Sequence, residues 1–109
     1  MNDRELLALA AKAVGIKLRW WDNSRNGFRV CNDTGSVCKR LHWNPIADDR
    51  DALRLANKLS IDILHNWESV TAQWELGKFC REKCTDETRD EATRRAITRA
   101  AAEIGKAMP

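Results

Sequence analysis

Trp43–Asn44–Pro45–Ile46–Ala47–Asp48–Asp49–Arg50–Asp51–Ala52–Leu53–Arg54–Leu55–Ala56, running on through Lys58–Leu59 into Ser60–Ile61–Asp62–Ile63, decides how this chain is put together. Pro45 has no amide hydrogen and stops strand pairing just after Trp43. Asp48 is placed to cap a helix, because its carboxylate can accept from amides that a first turn leaves unpaired. Asp49 and Asp51 add negative charge where the helix dipole is positive. Ala52, Leu55, Ala56 and Leu59 then recur on one face, with Leu53 at its margin. A helix of about eleven residues is too short to stand alone and must be held by packing. Ile61 opens a new strand, so the stretch is a strand–helix–strand joint around which both flanks are arranged.

Upstream, Asn2 and Glu5 stand in capping-box register, and Leu6, Leu7, Ala10, Ala13 and Val14 form an apolar stripe that Gly15 ends. Ile16–Trp21 alternates as a strand. Asp22–Gly27 is turn chemistry, Phe28–Cys31 returns, Asn32–Gly35 turns again, and Ser36–Trp43 is the third strand of an antiparallel meander. Downstream, Ile61–Asn66 and Val70–Leu76 form a hairpin with its tip at residues 66–69. The segment Gly77–Cys84 fits neither periodicity well and is expected as a charged loop with at most one helical turn. Thr85, Asp86 and Thr88 offer caps for a last helix, Thr88 and Glu91 in capping-box register. Its stripe is Ala92, Ala96, Ile97, Ala100, Ala101, Ile104 and Met108, with Asp90–Arg94 and Glu91–Arg95 spaced for ion pairs on the exposed side.

The order α-β-β-β-α-β-β-α describes an α+β domain on one mainly antiparallel sheet of about five strands, with terminal helices over one face or both. Two segments carry a family resemblance. Trp43–Asn44–Pro45 with Asp48–Asp49 and Asp51–Ala56 is one; Ala92–Thr93–Arg94–Arg95–Ala96–Ile97 with Arg99–Gly105 is the other. Together they resemble the small phage and prophage proteins of the phage ABA sandwich domain family. The resemblance implies helices on both faces of a central sheet, an α/β/α sandwich, and a phage origin. It implies no catalytic residues. Arg50 stands where a small residue is common in that family, and Phe79–Cys84 looks like a local elaboration.

With 109 residues, the chain is the size of a single domain spanning 1–109. At 43% hydrophobic and 32% charged residues it is neither disordered nor membrane-spanning. The N-terminus has no signal-peptide pattern, since Lys12 interrupts the early apolar residues, so a cytoplasmic protein is expected, here in a bacterial host. The net charge of +3 is uneven: residues 1–43 carry eight Lys/Arg against four Asp/Glu, and residues 44–109 eleven against twelve. The basic excess lies in the first strands.

Cys31, Cys38, Cys80 and Cys84 lack the knuckle spacing of a zinc site, and His42 and His65 sit at no ligand-like offset. Free thiols are expected, with a Cys80–Cys84 bridge as the alternative. Neither a nucleophile beside a base, a carboxylate pair nor a phosphate-cradling loop is readable, so no catalytic residue, metal or cofactor is assigned. Trp20, Trp43 and Trp74 are expected to help fill the core. The candidate partner-binding residues are Lys17, Arg19, Trp21, Arg25, Arg29, Lys39, Arg40, Trp67, Lys78 and Arg81, because Trp and Arg anchor interfaces and also stack on bases. Two classes follow. One is a binding protein acting on a host protein or complex, for example an inhibitor of a bacterial defence system such as CRISPR interference. The other is a nucleic-acid-binding accessory protein using the basic first strands.

Overall fold

The computed structural model describes residues 2–22, 27–31 and 37–108, without the side chains of 19–20, 29–31 and 37–42. Its elements are α1 (Asp3–Val14), β1 (Leu18–Asp22), β2 (Gly27–Cys31), β3 (Val37–Trp43), α2 (Asp49–Leu59), β4 (Asp62–His65), β5 (Ser69–Glu75), β6 (Lys78–Lys83) and α3 (Arg89–Ala107). The α+β class and the order of the first elements follow the sequence pattern. The single sheet of about five strands does not: there are two three-stranded antiparallel sheets, β1-β2-β3 and β4-β5-β6.

Two physical reasons account for the difference. The segment expected as a loop is β6, whose period-2 pattern is masked because its outward residues are Phe79, Arg81 and Lys83 and only Cys80 is buried on the inner side. The joint helix α2 packs on α3 and more lightly on α1, so the chain leaving β3 is led onto a layer of helices. Strand β4 therefore starts a sheet of its own. Of the turns expected at Asp22–Gly27 and Asn32–Gly35, residues 23–26 and 32–35 lie outside the described residues, while Asp22 ends β1 and Gly27 opens β2. Among the described residues no helix is long and apolar enough to cross a membrane.

Helix α3 organises the core. It lies over β5 and β6 and carries both other helices on its flanks. Val70, Ala72 and Cys80 are buried on the inner face of the second sheet, with Ile63 and Trp74 half-buried beside them. Phe28 and Trp43 of the first sheet enter the same core, together with Leu7 and Leu55. Among the described residues no helix packs on the opposite face of β4-β5-β6, where Leu64 is 53% and Phe79 51% exposed. Coverage of a central sheet on both faces is thus corrected to one covered and one open face for this sheet.

Small residues set the distance between α1 and α3. Ala10, Ala11, Ala96, Ala100 and Ala101 are buried, and Gly105 meets the backbone of α1 so closely that a Cβ there would stand 2.0 Å from the Leu9 carbonyl oxygen. Alanine side chains lose no rotamer freedom and let the backbones approach. Asn2 caps α1 by accepting from the Glu5 amide at 2.8 Å, and Gly15 closes it at φ 77, a left-handed conformation that costs glycine little. Met108 falls beyond the end of α3 and is 40% exposed, so the last member of the expected stripe is not core.

The Asn44–Asp51 segment folds on itself. The Asn44 carbonyl oxygen Oδ1 accepts from the Ile46 and Ala47 amides, Asp48 accepts from the amides of Arg50 and Asp51, and Asp51 accepts from the Asn44 amide at 3.0 Å. Thr88, by contrast, makes no side-chain cap; its hydroxyl oxygen accepts from the Thr85 amide, which ties up the turn before α3 and replaces the expected capping box. The arginines expected to pair along α3 reach other helices: Arg94 binds Asp49 at 2.7 Å and Arg95 binds Asp3 at 3.0 Å.

Replacing Gly105 with alanine should cost about 1–3 kcal/mol, because the new methyl meets backbone that cannot swing aside. Urea denaturation would show it as a lower midpoint, and an unchanged midpoint would mean that α1 and α3 are not held this closely. Partial burial raises the Asp51 carboxyl above its ordinary value of 3.8, against the Asn44 amide, which lowers it. A raised folded-state value means that the ionised carboxylate opposes folding at neutral pH, and that this cost vanishes as the pH falls below 3.8. Asp51→Asn keeps an acceptor for the Asn44 amide, so the variant should be at least as stable as the wild type at pH 7. The gain should shrink on acidification; a variant destabilised at pH 7 would show that the negative charge is needed.

Candidate partner-binding face

The tip between β4 and β5 is held from several directions. The Asn66 amide donates to the Ser69 carbonyl at 2.9 Å, and the Cys84 amide donates to the Glu68 carbonyl at 2.8 Å, tying the tip to the end of β6. The Trp67 amide donates to Asn66 Oδ1 at 2.8 Å. Arg89, the first residue of α3, donates from Nη1 to the Asn66 carbonyl at 2.9 Å and from Nη2 to the Trp67 carbonyl at 3.1 Å. A planar guanidinium can serve two adjacent acceptors without further loss of rotamer freedom. The result is a Trp67 whose backbone is fixed and whose side chain is 86% exposed.

Beside the indole runs a groove of about 400 Å³ lined by Asn66, Trp67, Glu68, Ser69, Arg81 and Lys83. Strand register explains the grouping. Ser69 pairs with Lys83, and Leu64, Thr71 and Arg81 form one cross-strand row, with Asp62, Gln73 and Phe79 in the next. Arg81 is oriented by two contacts: Nε donates to Thr71 Oγ1 at 3.3 Å, and the guanidinium carbon lies 5.6 Å over the Phe79 ring. Among the described residues no carboxylate pairs with Arg81 or Lys83, so both cations face solvent. The open face therefore offers an exposed indole, two cations that form no ion pair among the described residues, and the half-exposed Leu64 and Phe79.

The candidate residues named from sequence separate in the structure. Trp67 and Arg81 line one groove. Lys78 stands at the far end of β6 and pairs with Glu75 at 2.8 Å. Lys17 is exposed just ahead of β1. Trp21 is half-buried, its ring edge-on to Phe28 at 5.0 Å with Arg4 5.7 Å from its centre, and it packs against the core. Arg25 lies outside the described residues, as do the side chains of Arg19, Arg29, Lys39 and Arg40, whose backbone belongs to β1, β2 and β3. Sequence reasoning missed Leu64, Phe79, Lys83 and Arg89. The alternation of Phe79, Arg81 and Lys83 was the signal for three of this face's residues, and no sequence signal marks Arg89 as the residue that holds the tip.

Cys80 and Cys84 are free thiols. Cys80 is buried in β6, and burial pushes its thiol up, against the nearby Arg99. Cysteines four residues apart along extended chain are roughly 13 Å apart, beyond the ~7 Å that a disulfide spans, so the alternative of a bridge between them is incompatible with β6. Among the described residues no group of three or more His, Cys, Asp or Glu stands together as a metal site. Comparison of the chain with models of protein families, with curated proteins and with solved structures finds no match.

Arg89→Ala should free the tip while leaving the helices intact. Hydrogen exchange at the Asn66 amide should accelerate roughly tenfold or more, as the loss of hydrogen bonds from a charged donor worth about 1.5–3 kcal/mol implies. Unchanged exchange would show that the remaining turn contacts hold Trp67 without Arg89.

Proposed function

We propose that this protein works by binding another protein through the open face of β4-β5-β6, with Trp67 as the anchor. The observation that carries the proposal is an indole 86% exposed on a tip that Arg89 holds in place. Fixing an aromatic anchor in advance reduces the ordering cost of association, and a large rigid side chain buries much apolar area for little lost freedom. Leu64, Phe79 and Arg81 extend the surface.

The partner's class follows from charge. Glu68 lines the groove, and Asp86 lines the hollow on the other side of Trp67 with His65 and Arg89. These carboxylates repel the continuous negative charge of a nucleic acid but suit a protein surface of mixed character. The resemblance to phage ABA sandwich proteins supplies a context: a bacterial host protein or complex, met in the cytoplasm, whose occupation blocks its action, as an inhibitor of a defence system of the CRISPR type would. The competing nucleic-acid function is favoured by the basic balance of residues 1–43, eight Lys/Arg against four Asp/Glu.

Affinity capture from bacterial lysate, with and without nuclease, separates these functions. The expected result is a defined protein that survives nuclease and is lost by Trp67→Ala and by Arg81→Glu, both of which should retain wild-type circular dichroism. Recovery of nucleic acid alone, or full retention by Trp67→Ala, would overturn the proposal.

A further inference from the structure

Resting on that protein-binding function, we propose that β6 is the receiving edge for an extended acidic segment of the partner, which adds to the second sheet as a further strand. In the order β4-β5-β6 each outer strand has one side that no described strand pairs, and on β6 that side is met at one point by Arg99, whose Nη1 donates to the Arg81 carbonyl at 3.3 Å and which an added strand must share or displace. Strand β6 has six residues and β4 four, so β6 offers the longer template. Exposed backbone amides and carbonyls supply affinity in strand addition, and alternate side chains supply specificity.

The chemistry of β6 selects the occupant. Its outward residues are Phe79, Arg81 and Lys83, and the segment that pairs with it sets its own alternate residues beside them. Carboxylates opposite Arg81 and Lys83 neutralise cations that form no ion pair among the described residues, although Glu68 shares their groove, and an apolar residue opposite Phe79 covers a ring that is 51% exposed. A second copy of β6 fits poorly, because in-register antiparallel pairing crowds the Arg81 and Lys83 groups of both copies onto one face. The end of such a segment beside Ser69 and Lys83 reaches the groove that Trp67 walls. Strand addition thus joins edge, cations and anchor in one binding event.

The test uses the full chain and a short synthetic peptide in which two glutamates and a leucine alternate with threonines. Controls carry lysine for glutamate, or N-methyl groups on alternate amides. The expected result is protection from hydrogen exchange at the β6 amides that do not pair with β5, together with a change in Trp67 environment followed by 19F-tryptophan resonance. Arg81→Glu and Lys83→Glu should each weaken binding by roughly tenfold, since like charges then face each other. Equal binding of the lysine peptide, indifference to N-methylation, or no binding by the glutamate peptide would overturn strand addition. A captured partner that depends on Trp67 but leaves the β6 amides unprotected would also overturn it, while leaving the protein-binding function standing.

Discussion

The Arg94 guanidinium is the contact on which the arrangement of elements turns. From the middle of α3 it donates through Nε to the Ile46 carbonyl at 2.8 Å and through Nη1 to Asp49 at 2.7 Å. It therefore binds the turn that follows Pro45 and the first residue of α2 together. Backbone amides serve the Asn44 and Asp48 carbonyls of that turn, and the Asn44 and Asp48 side chains serve its amides, while the Ile46 carbonyl is met by the arginine. A partly buried carbonyl without a donor would cost ~1–3 kcal/mol, so the arginine supplies what local structure cannot. The side chain is only 20% exposed, which limits competition from water.

Arg94 belongs to a series along α3, each member reaching a different element. Arg89 holds the β4–β5 tip, Arg95 pairs with Asp3 of α1, and Arg99 pairs with Glu82 of β6 while donating to the Arg81 carbonyl. Exposed ion pairs of this kind are each worth little, and the alanines between them provide the burial. What the arginines add is direction. The apolar side of α3 is nearly uniform alanine and would tolerate sliding or rotation of its neighbours. Four guanidiniums with distinct partners on α1, α2, β6 and the hairpin tip specify one arrangement.

Much of this was legible from local chemistry. The caps at Asn2 and Asp48, the stop at Gly15 and the hairpin around Trp67 depend on neighbours within a few residues, and sequence spacing records them. The two segments that stand out together, Trp43–Ala56 and Ala92–Gly105, meet through Arg94. Longer-range facts were not legible. Arg94 and Arg95 sit at ion-pair spacing from Asp90 and Glu91, but a partner in another helix is a tertiary choice that no spacing encodes. Strand β6 was hidden because an edge strand with one open face carries Arg and Lys where a buried strand would carry Val and Ile, and charge density of that kind also marks loops. Trp21 and Trp67 look alike in sequence; one packs on Phe28 and the other projects from a tip.

The division between core residues and outward-facing residues follows from strand geometry. In β5, Val70 and Ala72 face α3 and are fully buried, while Thr71 and Gln73 between them look outward. Because neighbours along a strand point to opposite sides, the stabilising set and the outward set are interleaved in sequence yet separate in space. Helix α3 holds one face of the sheet, and its arginines bind the edge and the tip through side chains and backbone without covering the other face. Leu64 and Phe79 on that face lose little stability by being exposed, since their burial is not part of the core. A surface held rigid from behind, with an exposed tryptophan at its end and cations along its edge strand, has a composition that the demands of folding do not set.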